Sequence, residues 1–206
     1  MSFSASRIHR NLSLLTLLAA VGCSGKPGRL DPPSIPDDAG QQAVATYDSN
    51  GNGTIEGDEL AKVPALKATL KRVDSNGDGA VSAEEIDARI NAWRKSRVAI
   101  TRGDAKVIRD GQAVAGAVVK LIPEPFLGPN LKVAQGMTGP DGACFIEIAR
   151  NPDESGVHLG YYRIEVTQPG PDGKERIPAR YNAETELGTE ITSDEPASLK
   201  LNLTGK

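Results

Sequence analysis

Two stretches of the chain set oxygen-bearing side chains at alternate positions around a glycine: "DSNGNGTIEGDE" from Asp48 to Glu59 and "DSNGDGAVSAEE" from Asp74 to Glu85. A hard cation such as calcium takes about six to eight oxygen ligands, and a twelve-residue loop supplies them if a glycine makes the turn at its sixth place. In the first stretch the ligand positions hold Asp48, Asn50, Asn52, the Thr54 carbonyl, Glu56 and Glu59, with Gly53 sixth. In the second they hold Asp74, Asn76, Asp78, the Ala80 carbonyl, Ser82 and Glu85, with Gly79 sixth. A single such stretch can also be a solvated Asn/Asp/Gly turn. Two complete copies in tandem favour a pair of cages that would hold two calcium ions. Ile55 and Val81, both in the eighth place, are positioned to pair as a two-residue β-bridge that couples the sites.

Such loops need helices at their ends, and the flanking residues read that way. Leu66, Leu70 and Val73 fall at i, i+4 and i+7 before the second loop, and Ile86, Ile90 and Trp93 repeat the spacing after it, so each helix has one apolar stripe. Pro64 suits a first helical turn, and Ser82 with Glu85 three residues on makes a capping box. From Val98 onward the texture changes to short β-prone runs broken by turns: "AKVIR" before Asp110-Gly111, "AVAGAVVKLIP", "ACFIEIA" after "PDG", "YYRIEVTQ" and "SLKLNL". This spacing predicts an antiparallel β-sandwich of about seven strands. The expected class is α+β, a small all-α unit followed by an all-β antiparallel sandwich.

Both halves resemble known families. The loops carry the pattern of the EF-hand family position by position, which implies calcium ligation by the residues named above. Only fourteen residues separate Glu59 from Asp74, which leaves "ELAKV" as a one-turn exit helix and "PALKATLKRV" as an entering helix of two to three turns. That compactness is similar to the truncated pairs of bacterial surface proteins and dockerins and argues against a calmodulin-like opening. Asn52 in place of an acid makes the first site the weaker. The second half, with "VIRDGQAVAGAVVKLIPE", "TGPDGACFI" and "GYYRIEV", resembles the carboxypeptidase-regulatory-like and transthyretin-like, Ig-like sandwiches, most of which are accessory or binding domains.

The N-terminus reads as a processing signal. Arg7 and Arg10 precede the apolar run "NLSLLTLLAAVG", too short to span a bilayer comfortably, and the run ends at Cys23. It resembles a bacterial lipoprotein signal, which implies lipidation of Cys23; an ordinary secretion signal or an uncleaved anchor are the alternatives. Ser24, in place of an aspartate, leans toward an outer membrane. The expected layout is a signal peptide at 1–22, a Pro-rich tether at 23–38, the EF-hand pair at 39–97 and the sandwich at 98–206.

Removing Arg7 and Arg10 leaves 22 basic against 27 acidic residues, a net charge of −5 that gives no reason to expect nucleic acid as a partner. With Cys23 lipidated, Cys144 has no second cysteine to pair with. Cys144 shares a strand face with Ile146 and Ile148 and reads as a small core residue; His158 reads as a loop histidine, so a nucleophile and base pair is not expected. The related transthyretin-like hydrolases carry a C-terminal Tyr-Arg-Gly-Ser where this chain ends "LNLTGK", and no enzyme activity is expected. "EPFLGPNL" from Glu124 to Leu131 reads as a cover for the sandwich more than a binding loop, and Tyr181, beside Arg180, as a packing residue. The function expected is that of a calcium-binding lipoprotein of the cell envelope with a structural or interaction role. The alternative is an accessory module whose sandwich binds an envelope polysaccharide or protein.

Overall fold

The helices are short because the chain keeps interrupting them. In the computed structural model they are α1 (Ala39–Tyr47), α2 (Gly57–Leu60), α3 (Pro64–Ala68), α4 (Leu70–Val73) and α5 (Ala83–Ser96). The structure describes residues 1, 30–148, 155–195 and 197–205; the expected signal peptide, Cys23 and the first part of the tether lie outside the described residues. Pro64 opens α3 and the Ser82–Glu85 capping box opens α5, as their positions predict. The entering helix of the second loop is not one rod but two. Thr69 breaks it, its hydroxyl donating to the Ala65 carbonyl at 2.7 Å and its amide shared between Ala65 and Leu66. A threonine that bonds back along its own helix competes with the regular ladder.

Between the helices lie β1 (Thr54–Ile55) and β2 (Val81–Ser82), paired antiparallel with Ile55 opposite Val81, the bridge expected from their places in the loops. After α5 come β3 (Gly103–Arg109), β4 (Gln112–Ala113), β5 (Val118–Pro123), β6 (Ala134–Met137), β7 (Ala143–Ile148), β8 (Gly160–Thr167), β9 (Gly188–Ile191) and β10 (Ala197–Leu203). Asp110 and Gly111, both with positive φ, make the tight turn from β3 to β4.

The hydrogen-bonded order is β10-β3-β7-β6-β5-β8-β9, with β4 beside β3. All pairs are antiparallel except β10 on β3, which runs parallel and corrects the expectation of a purely antiparallel arrangement. β9 and β10 end the path at opposite sides, yet only the short stretch 192–196 joins them, so the sheet must curl back on itself as a half-barrel. The fold is therefore α+β, a small helical region against a large, mainly antiparallel sheet.

One hydrophobic core serves both parts. Trp93 of α5 packs edge-on to Tyr161 of β8 with ring centroids 4.9 Å apart, and Phe126 and Tyr47 continue the cluster. Phe126 and Leu127 are buried in a 3-10 turn, so "EPFLGPNL" does cover the core. Tyr181 is buried too, its hydroxyl 3.2 Å from Thr204 Oγ1. The end of the expected tether is bound to the body: Asn130 donates to the Ser34 carbonyl and hydroxyl at 3.2 and 2.8 Å, and Arg94 donates to the Ile35 carbonyl at 2.7 Å and pairs with Asp37 at 2.9 Å.

Candidate metal centre

Each loop is held open by the same lattice of bonds from backbone amides to side-chain oxygens. In the first, Asp48 Oδ1 accepts from the Gly51 amide at 2.7 Å and Oδ2 from the Gly53 amide at 2.8 Å. Asn50 Oδ1 accepts from Asn52 at 2.9 Å and Asn52 Oδ1 from Thr54 at 3.0 Å. Glu59 reaches back across the loop, Oε1 to the amides of Ser49 and Asn50 and Oε2 to that of Glu56. The second loop repeats the lattice. Asp74 takes the Gly77 and Gly79 amides at 2.6 and 2.9 Å, Asn76 takes Asp78, Asp78 takes Ala80, and Glu85 takes Ser75 and Ser82. Gly53 and Gly79 turn the chain at φ 90° and 82°, a region that side chains with a Cβ rarely enter.

The loops differ at their fifth and ninth places. Asn52 donates its amide to Glu56 Oε1 at 2.8 Å, whereas Asp78 accepts from Asn76 at 2.9 Å and Ser82 donates its hydroxyl to Glu85 at 3.1 Å. Each loop thus spends one carboxylate oxygen on a side-chain amide, but the fifth place is the donor in the first loop and the accepting acid in the second.

The amides also favour the ionised form of Asp48, Glu59 and Glu85. The Gly53 amide leads the donors that hold Asp48 below the usual carboxylate range, against a smaller contrary effect of burial. For Glu59 and Glu85 burial works the other way and is the largest single effect, but the combined donors outweigh it and both are lowered. Every predicted ligand is a hard oxygen donor, so the set suits calcium in kind. No group of three or more His, Cys, Asp or Glu side chains gathers as a metal cluster among the described residues. Any cation held here would rely on Asn, hydroxyl and peptide oxygens beside the acids.

The elements around the loops run directly into the sheet, through residues whose role the sequence does not announce. Tyr47, next to Asp48, points its hydroxyl at Glu124 Oε2 at the end of β5, 3.4 Å away. Arg72, two residues before Asp74, pairs with Glu195 and faces Glu190 of β9. Arg89 and Trp93 of α5 donate to Glu190 Oε1 at 3.0 and 2.9 Å. Arg89 sits three residues from Ile86 and four from Trp93, beside the apolar stripe, which is the one sequence signal that pointed to this contact. Glu190 carried no such signal, since a lone acid before Ile191 in a short strand reads as solvent-facing.

Glu124 is almost wholly buried, and burial, opposed first by the Arg163 charge, pushes its carboxyl up to about 7. Tyr47 beside it is pushed up to about 12 by burial and by that carboxyl. An acid that holds its proton more tightly folded than unfolded stabilises the fold below its unfolded pKa, and that stability is lost as pH rises toward the folded value. Wild-type stability relative to Glu124→Gln is therefore expected to fall between about pH 4.5 and about 7 and to level above. Urea melts of both proteins across that range test the sign; a difference that grows with pH would refute it.

Cys144 and His158 do not form a pair. His158 Nδ1 lies 2.9 Å from the Ala99 carbonyl, and burial raises the Cys144 pKa, which disfavours the thiolate.

The EF-hand family matches the chain over residues 66–88, which take in the second loop with α4 before it and the start of α5 after it. The match points to calcium binding. No curated protein matches the sequence. One solved structure, (S)-allantoin synthase, is similar over 85% of this chain and 70% of its own at 14% identity and a TM-score of 0.28, a likeness too faint to carry an argument.

Proposed function

We propose that the protein is a calcium-binding lipoprotein of the cell envelope in which two calcium ions brace the helical unit and fix how it sits on the sheet. The observation that carries this reading is the placement of the joints. Tyr47, Arg72, Arg89 and Trp93 all belong to elements that enter or leave the two loops, and all four reach Glu124 or Glu190. In this reading the ligands are those at the six alternating places of each loop, and the empty loops destabilise the unit by carboxylate repulsion. The sheet would be a carboxypeptidase-regulatory-like, transthyretin-like sandwich serving as the interaction domain at 98–206. Cys23 would carry the lipid, its chains holding the protein on the membrane without a spanning helix.

Thermal melting in rising calcium tests the brace. At free calcium 100-fold above Kd, mass action adds about 2.7 kcal/mol for each filled site, and with both sites filled the midpoint is expected to rise by roughly 10–20 °C. The double variant Glu59→Gln with Glu85→Gln should abolish the rise, and a wild-type midpoint unmoved at millimolar calcium would remove the reading. Incorporation of a labelled fatty acid, lost in Cys23→Ser, tests the anchor separately.

A further inference from the structure

The strand β10 leaves one edge of the sheet open, and the ladder on its paired side fixes which groups stand there. The Leu203 carbonyl accepts from the Asp110 amide just after β3, so in this parallel pair Leu203, and with it every second residue back to Ala197, turns both backbone groups toward β3. Ser198, Lys200 and Asn202 therefore turn their N–H and C=O groups to the other side, where no strand pairs with β10 and no backbone partner meets them among the described residues. At the other end of the path, β9 has α3 packed against it at Gly188. We propose that β10 takes on an added strand, an extended segment of a partner protein in which acidic and apolar residues alternate.

Backbone, charge and packing each set one property of that strand. Donors and acceptors repeating at every second residue of an edge are matched by another extended chain, because only a strand carries the same repeat. The charge follows from the outer face of the sheet. Lys200 stands directly beside Lys106 of β3 in the register; both are exposed, and neither makes an ion pair among the described residues. Asp104, on the same face, accepts instead from the Ser198 hydroxyl at 2.7 Å. Like charges in neighbouring places destabilise a sheet, so a carboxylate opposite Lys200 on an added strand relieves the pair. Lys67 and Lys71 line the far bank of the cleft between α3–α4 and β10 and add to the same field. On the inner side Leu70 and Leu199 both line the cleft and are only partly buried, so the next residue along the added strand meets an apolar surface.

Two other occupants fail on charge. A second copy of β10, "ASLKLNL", carries no acid and brings a further lysine to the edge. The chain's own residues 2–29 hold no acid either. Lys200 thus works in both directions, turning away a copy of its own strand and selecting an acidic one. The proposal deepens the interaction role proposed for the sheet and draws on neither the calcium brace nor the lipid anchor.

The test is a titration of the full chain, in saturating calcium, with the synthetic peptide TVEVEVT, followed by amide NMR shifts and hydrogen exchange. The amides of Ser198, Lys200 and Asn202 are expected to shift and to become protected, with binding at least about tenfold tighter than that of TVKVKVT. Lys200→Glu should reverse this preference, so that TVKVKVT binds at least about tenfold more tightly than TVEVEVT, with the melting midpoint unchanged because the side chain is exposed. TVEVEVT N-methylated on every valine and glutamate keeps its charge but cannot donate to the edge, and should not bind. Equal binding of that form would reduce the edge to a charge patch and overturn the proposal. So would protection that falls on other strands, no binding of TVEVEVT, or a dimer in sedimentation that already protects the three amides before peptide is added, which would give the edge to a second copy. Calcium-dependent melting recorded on the same sample keeps a failure here distinct from a failure of the brace.

Discussion

Glu190→Ala is expected to destabilise the fold by about 3–5 kcal/mol, the cost typical of stranding one partner of a buried ion pair. Glu190 Oε1 accepts from Arg89 Nε, Arg89 Nη2 and Trp93 Nε1, so one oxygen ties α5 to the sheet with three bonds. Removing it leaves the indole N–H without a partner in the core beside Tyr161. Arg89 is about a quarter exposed and recovers some water, which places the expectation at the lower end, about 3 kcal/mol. For a chain of this size that corresponds to a midpoint lower by roughly 6–12 °C. Denaturant unfolding checks it, and a loss below about 1 kcal/mol, the level of an exposed ion pair, would show that α5 is held by apolar contacts alone. The conservative Glu190→Gln keeps an acceptor for Trp93 and should recover part of the loss.

The second large effect comes from a residue with no side chain. Gly188 in β9 lies against the backbone of α3, where an added Cβ would meet Pro64 C, Pro64 O and Ala65 N at 2.1, 2.2 and 2.3 Å. These are main-chain atoms and cannot rotate aside, so Gly188→Val must push α3 off the sheet. Overpacking a tight contact costs about 1–3 kcal/mol and sometimes more; with three backbone atoms in the way, the expectation is about 3 kcal/mol. Because α3 lies between the loops, calcium affinity should weaken as well. Gly139→Ala, whose Cβ meets nothing nearer than 3.4 Å, is the control. Equal melting of both variants would mean that α3 can shift freely and that the contact with β9 is not a fixed joint.

The loops were legible because their information is local. Six alternating oxygens and a glycine fix one turn, and the Ser82–Glu85 cap and the Ile55–Val81 bridge follow within a few residues of it. The strands β3, β5, β7, β8 and β10 were legible for the same reason, through turn residues such as Asp110-Gly111, whereas β6 and β9 lie outside the runs that the sequence singled out. What escaped the sequence depends on distant neighbours. Thr69 is a helix break only because its hydroxyl turns back to Ala65. "SLKLNL" alternates equally well in either direction, so its parallel pairing with β3 is set by the curl of the sheet and not by its own residues. Glu190 is buried only because Arg89 and Trp93 arrive from about a hundred residues away in the chain.

The contacts of Ser34, Ile35 and Asp37 with Asn130 and Arg94 have a bearing on reach. Under the proposed lipidation of Cys23, the length of the mooring is the chain from there to Ser34, at most about 40 Å when fully extended. The line is made fast where α5 meets the turn after β5, so it always leaves the body at one fixed point. A short line from a fixed cleat limits both how far the body drifts and how it can roll. The same side would be turned toward the lipid, and partners held on that membrane would be met by lateral diffusion within a thin layer.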